Sequence, residues 1–200
     1  MSEYEKCFSF DIQSTNMLLE LKIIPSQNPP ALCVKVCSTD DNEYDVYWNW
    51  GLLSREFVNR IMQFCKHNNS KYNSIDDLMK DEFFIQFIKK FTPVYHQQLD
   101  NKGKEIINKI INTDWGFSCR VKNGGLDGHR YFLTLYNNQY RRYETWCTIP
   151  PKWHELITLI GFVVDDIVKV ENKYRAFYLP YGTVSTRQSI ESIEIPSWMK

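Results

Sequence analysis

The chain has 200 residues, 43% of them hydrophobic, which is enough for one domain that buries its core without disulfide or metal staples. Its 24 basic and 24 acidic residues cancel, which argues against a dedicated polyanion binder or a membrane-surface protein. The halves differ in sign: residues 1–100 carry 10 Lys and Arg against 14 Asp and Glu, and residues 101–200 carry 14 against 10.

The polar start, Met1-Ser2-Glu3-Tyr4-Glu5-Lys6, is not followed by the apolar stretch of a signal peptide. No run approaches the roughly 18 apolar residues of a membrane span. A cytoplasmic protein that does not meet a membrane is therefore expected. The six cysteines are Cys7, Cys33, Cys37, Cys65, Cys119 and Cys147. Cys33 and Cys37 fall on one expected strand, whose rise sets them about 13 Å apart, beyond the reach of a disulfide. Buried thiols beside apolar neighbours are the simpler reading.

In chain order, residues 7–12 alternate and predict a strand. Residues 17–24 predict a second, with Leu19, Leu21 and Ile23 on one face and Glu20 and Lys22 on the other. A proline-rich loop at 25–30 leads to a third strand at 31–37, an acidic turn at 38–43 and an aromatic strand at 44–50. There Tyr44, Val46, Trp48 and Trp50 share one side, expected to pack against a helix that Ser54 caps and that carries Phe57, Val58, Ile61, Met62 and Cys65. Ser74 caps a second helix, whose apolar face holds Leu78, Phe83, Phe84, Phe87 and Ile88. Beyond Thr92-Pro93 a third helix runs from Val94 toward Ile111, with Ile106, Ile107, Ile110 and Ile111 as its buried stripe.

Residues 117–121, 129–136 and 140–147 form a meander with Asn- and Gly-rich turns, and Pro150-Pro151 opens an apolar helix over 153–164. Short extended runs at 168–170 and 174–179 and an apolar tail at 189–200 complete the chain. The expected fold is α+β, antiparallel meanders packed with helices in one compact domain over 1–200. An offset of 98 positions sets Trp146 on Trp48 and Phe162 on Phe64. Residues 8–65 and 116–164 can thus be read as two related β-β-β-α halves joined by a helical connector at 74–112. The alternative is that any α+β chain contains several such runs.

Four patterns carry potential chemistry. Arg120, Lys122, Arg130, Arg141 and Arg142 interleave with aromatic residues that include Tyr140 and Tyr143. Arginine forks and tyrosines suit a protein interface or a phosphate backbone, although alternation also allows a solvated strand face. Asp11 followed by Glu20-Leu21-Lys22 has the form of the acid and Glu-x-Lys set with which restriction-type nucleases hold a divalent metal. Glu171-Asn172-Lys173 fits the same short pattern. Cys147 precedes the Pro151 helix, whose positive end favours a thiolate, and His154 follows, but nothing brings the two into hydrogen-bond reach. His67, His96, His129 and His154 are scattered, without metal-ligand spacing. Asn123-Gly124-Gly125 is a turn and not a phosphate cradle.

The reading is a non-catalytic binding protein that recognises or inhibits a protein partner, of the immunity or inhibitor kind, with no cofactor or metal. Its interface residues would be Arg120, Lys122, Arg130, Tyr140, Arg141, Arg142 and Tyr143. The rivals are a metal-dependent nuclease using Asp11, Glu20 and Lys22, and a non-enzymatic nucleic-acid binder.

Overall fold

Strands that alternate apolar and polar side chains bury one face of a sheet, and the helices that follow supply its cover. The computed structural model describes residues 9–12, 16–25, 31–39, 41–52, 54–68, 72–116, 129–136, 141–146 and 153–170. Three consecutive strands, β1 (Met17–Pro25), β2 (Leu32–Ser38) and β3 (Tyr44–Trp50), form the expected meander. In the turn between β2 and β3, Asn42 takes φ 59°, a left-handed conformation that asparagine tolerates, and the Thr39 hydroxyl accepts from the Glu43 N–H at 3.2 Å.

The sheet grows at both sides of this meander. Strand β4 (Tyr95–Gln98) adds to β3, and β5 (His129–Leu135) and β6 (Arg141–Trp146) add beyond β1. Among the described residues the result is one six-stranded antiparallel sheet of order β4-β3-β2-β1-β5-β6. Register sets Leu133, Leu21, Val34, Trp48 and Tyr95 in one transverse row. The adjacent row is Thr134, Glu20, Lys35, Tyr47 and His96. The α+β class is as the sequence predicts.

The first row faces the main core. Two helices, α4 (Asn101–Asn112) and α5 (His154–Phe162), supply the cover with Ile106, Ile107, Ile110, Leu156, Leu159 and Ile160, and a π-turn at Val163–Ile167 continues α5. Asp100 caps α4 by accepting from the Gly103 N–H at 2.7 Å. A side chain at Gly103 would press on Asp100 and Leu99 at 3.2–3.3 Å. The indole N–H of Trp115 donates to the Ile110 carbonyl, and that of Trp153 to the Trp115 carbonyl, each at 2.8 Å. Two large aromatics thereby enter the core with their polar atoms satisfied. Lys109–Glu155 and Lys102–Asp166 ion pairs tie α4 to α5 and to the π-turn.

The remaining helices, α1 (Ser54–Asn68), α2 (Ile75–Lys80) and α3 (Glu82–Lys89), enclose a second core of Phe64, Leu78, Met79, Phe84, Ile85 and Ile88. Ser74 caps α2, and Asp81 caps α3 by accepting from the Phe84 N–H at 3.1 Å. Among the described residues, no helix is long and apolar enough to cross a membrane.

Several expectations need correction. The helix expected from Val94 begins at Asn101, because residues 95–98 hydrogen-bond along the edge of β3 and Asp100 starts a new helix only after them. A sheet strand therefore interrupts the helical connector. The single helix from Ser74 is two helices, divided at Asp81, whose carboxylate caps the second. Tyr44, Val46, Trp48 and Trp50 do share one side, but they pack in the α4–α5 core and not against α1. Val58 and Met62, carried by the helix expected after Ser54, and Phe83, placed on the apolar face of the next one, are 50%, 58% and 83% exposed.

Residues 168–170 are not a strand. They close the π-turn, with Lys169 at φ 57° and the Val168 N–H donating to the Val163 carbonyl. Residues 9–12, expected as part of a strand, are not a strand of the sheet. The expected strands at 117–121 and 174–179, the 189–200 tail and the Asn123-Gly124-Gly125 turn lie outside the described residues.

Candidate functional site

Alternation sends every second residue of β1, β2 and β3 to the sheet face opposite α4 and α5, and chemistry-bearing side chains collect there. Glu20 and Lys22 come from β1, and Cys33 and Lys35 from β2, with Glu20 directly opposite Lys35 and Lys22 opposite Cys33. Thr134 and Phe132 of β5 flank them on one side, Tyr47 and Asn49 of β3 on the other. Although this face has the composition of a solvated one, Lys22 is only 6% exposed and Lys35 only 8%.

Charge pairing makes that burial tolerable. One Glu20 carboxylate oxygen lies 3.3 Å from Lys22 Nζ, and the other lies 3.4 Å from Lys35 Nζ. Lys35 also donates to the Phe10 carbonyl and sits 5.0 Å from the centre of the Phe10 ring. Phe10 packs with Ala31 and Cys33 in a small cluster that Ile12, Ile24 and Tyr47 border. Burial, and next the Glu20 charge, push the Cys33 thiol up to about 12, so it stays protonated at neutral pH. A buried protonated thiol is a poor nucleophile. Partial burial and the Asp45 carboxylate also raise the Tyr47 phenol.

Farther along the same face His96 stacks on Tyr47 at 4.5 Å between ring centres and places Nε2 3.2 Å from Asp45. On the other side of residues 9–12 runs a groove of about 520 Å³ lined by Ser9, Asp11 and, from α3, Glu82, Phe83, Ile85, Gln86 and Lys89.

The fold brings Glu20 and Lys22 onto one face, as the nuclease-like pattern requires, but both Glu20 oxygens are occupied by lysines. Asp11 is exposed and lines the α3 groove. Among the described residues, no three His, Cys, Asp or Glu side chains converge as a metal would need. What the arrangement offers chemically is a charge clasp, since a divalent cation would have to displace two ammoniums from one carboxylate.

Of the arginine and tyrosine candidates, Arg130 is half-buried on β5. Arg141, Arg142 and Tyr143 lie on β6, paired with Leu135, Thr134 and Leu133. Arg120, Lys122 and Tyr140 lie outside the described residues, as do Cys147 and Glu171-Asn172-Lys173. His154 is half-buried at the start of α5, and the His67 ring bonds within its own helix to the Gln63 carbonyl.

Two features escape a reading by motif. Lys35 is the third member of the clasp, and its signal was a lone charge within the apolar run of β2. Phe83 is the most exposed of the large apolar side chains described, which helical spacing alone does not reveal. No family model matches the chain, and neither a curated protein nor a solved structure does.

Proposed function

We propose that the chain is a non-catalytic binding protein that recognises and inhibits a protein partner, in the manner of an immunity-type inhibitor. The observation that carries this reading is where apolar surface is left in water. Of seven large apolar side chains that stand exposed among the described residues, Val58, Met62, Ile75 and Phe83 belong to the three helices of the second layer. That layer already has its own core of Phe64, Phe84, Ile85 and Ile88, so its packing gives no reason for Phe83 to be a phenylalanine. Exposed large apolar side chains of this kind mark contact surfaces, and an aromatic anchor beside polar and charged neighbours such as Glu82, Gln86 and Lys89 suits a protein interface.

The engagement of both Glu20 oxygens by lysines supports this reading over the metal-dependent nuclease. Arg141 and Arg142, on β6 at the other end of the strand order from β4, are the second pair to test.

The test is affinity purification with the full chain from nuclease-treated lysate, comparing wild type with Phe83→Asp and with Arg141→Ala/Arg142→Ala. A protein retained after nuclease and weakened by about ten-fold or more in Phe83→Asp is the expected result, since a central anchor is worth about 2 kcal/mol or more. Recovery of nucleic acid alone, or retention that neither variant alters, would overturn the proposal. Because Phe83 is 83% exposed, its replacement leaves the fold intact.

A further inference from the structure

At about 100° per residue the side chains of α1 sort onto distinct faces. Phe57, Ile61 and Phe64 fall on one face and join the second core, where the Phe64 and Phe57 rings meet Phe84 edge-on at 5.1 and 6.1 Å between centres. Val58 and Met62 each follow one of these residues and are therefore turned about 100° away from that core. They are 50% and 58% exposed.

The strip continues beyond these two. Arg55 stands three residues before Val58 and Lys66 four after Met62, the spacings that set helical side chains one above another, and both are exposed. The order along the strip is thus cation, apolar, apolar, cation, over about 16 Å of helix. Arg60 belongs elsewhere: its guanidinium lies 3.7 Å from the centre of the Phe91 ring and donates to Gln63. Glu56, the acidic residue of the first turn, falls about 100° beyond Arg55 and so off the strip. Helix propensity does not account for Val58, since valine is a poorer helix former than the lysine or glutamine that a solvated position accepts.

What fits the strip follows from its chemistry. Its ends attract carboxylates, and its middle offers apolar surface at a one-turn spacing, which is how i and i+4 residues of a second helix repeat. An extended segment would lay its backbone N–H and C=O groups against a helix whose own are already bonded, whereas a helix arrives with its backbone satisfied. A membrane surface also attracts cations, but helices that lie in one turn their large apolar residues toward it. Here α1 turns Phe57, Ile61 and Phe64 into its own core instead.

We infer that Arg55, Val58, Met62 and Lys66 form a docking face for an acidic amphipathic helix of a protein partner. That helix packs apolar side chains on Val58 and Met62 and sets a carboxylate on each cation. The assignment rests on the reading of the chain as a protein binder and adds what the partner must carry.

The experiment follows the Met62 methyl resonance of the full chain by NMR, with methyl-labelled methionine and with Met62→Leu to identify the signal. Three probes are titrated. One is a helical peptide of about 14 residues with leucines at i and i+4 and a glutamate one turn beyond each; the second has lysines for those glutamates; the third is vesicles of phosphatidylserine and phosphatidylcholine. The expected result is a saturable shift with the glutamate peptide and binding weaker by about ten-fold or more with the lysine peptide. The order reverses in Arg55→Glu/Lys66→Glu, whose exposed positions leave the fold intact. A Met62 signal that no probe moves, that both peptides move alike, or that only the vesicles move overturns the inference. No captured partner enters this titration, so retention unaltered by Phe83→Asp counts against the proposed function and not against the charge preference of α1.

Discussion

The two faces of this sheet are made by neighbouring residues of the same strands and are buried to similar depth, yet they stand on different physics. Val34 is 0% exposed and Lys35, one residue on, 8%. The inner row of Leu133, Leu21, Val34 and Trp48 leaves water for an apolar core under α4 and α5, a gain of about 25 cal/mol per Å² that requires no exact geometry. The outer row of Thr134, Glu20, Lys35 and Tyr47 gains little from burial and depends on each polar group meeting its partner. Burial alone does not make a core: the inner face supplies stability, and the outer face holds a charged cluster in its place.

The largest test of that contrast compares one residue from each face. Leu21→Ala on the inner face should cost about 2–5 kcal/mol through lost transfer and a cavity. Glu20→Ala on the outer face should cost about 3–5 kcal/mol, because it leaves two buried ammoniums without their carboxylate. The faces separate in the multiple variant. Glu20→Leu/Lys22→Met/Lys35→Met removes the whole cluster and should fall within about 1 kcal/mol of wild type or exceed it, since matched apolar volume avoids the desolvation cost. Urea denaturation of the four chains measures all of this. A triple variant as unstable as Glu20→Ala would mean that the ion cluster stabilises the outer face, and the contrast would fail.

A smaller effect distinguishes the faces by pH. The Cys33 thiol is held up at about 12 in the folded chain against an ordinary value of 9.0. A raised thiol pKa means that the unfolded state loses its proton first, so this contribution is complete below pH 9 and declines as pH rises toward 12. The slope for one such group is roughly one kcal/mol per pH unit. Burial also raises the Tyr131 phenol of the inner face, and that adds a loss at higher pH. Cys33→Ala should therefore flatten the stability profile from about pH 9 and leave the later decline; an unchanged profile would mean that the thiol ionises as readily folded as unfolded.

How much of this was legible beforehand differs between the faces too. The inner face could be read directly, because Leu19, Leu21 and Ile23 alternate with Glu20 and Lys22, and Ile106, Ile107, Ile110 and Ile111 mark one side of a helix. The outer face could not, because alternation says which residues point away from the core but not whether something lies on top of them. Nothing local to Phe10 says that residues 9–12 stay out of the sheet, since pairing is decided by strands far off in the sequence. Tyr95–Gln98 failed for the same reason: its strand conformation depends on the edge of β3, about 50 residues earlier. Phe83 looked buried because it precedes Phe84 and Ile85 in an apolar run, while the turn of α3 has room for only part of that run inside.

The smallest expected effect lies in the helical layer and asks whether it holds together as the sheet does. Asp81 ends α2 and caps α3, its carboxylate accepting from the Phe84 N–H at 3.1 Å and from the Tyr72 hydroxyl. These bonds, the Tyr72 one foremost, hold its carboxyl below the usual carboxylate range. A depressed pKa means that the carboxylate form belongs to the folded state, so this contribution is present above about pH 4, the unfolded value, and is lost as pH falls through the lower folded value. Asp81→Ala should destabilise by about 1 kcal/mol at neutral pH, as loss of a helix cap does. Tyr72→Phe should cost less and move the acid-induced loss to higher pH, because the carboxyl then has one donor fewer. If both variants unfold in acid as wild type does, the α2–α3 junction contributes nothing to acid stability, and the apolar core of the helical layer carries it there.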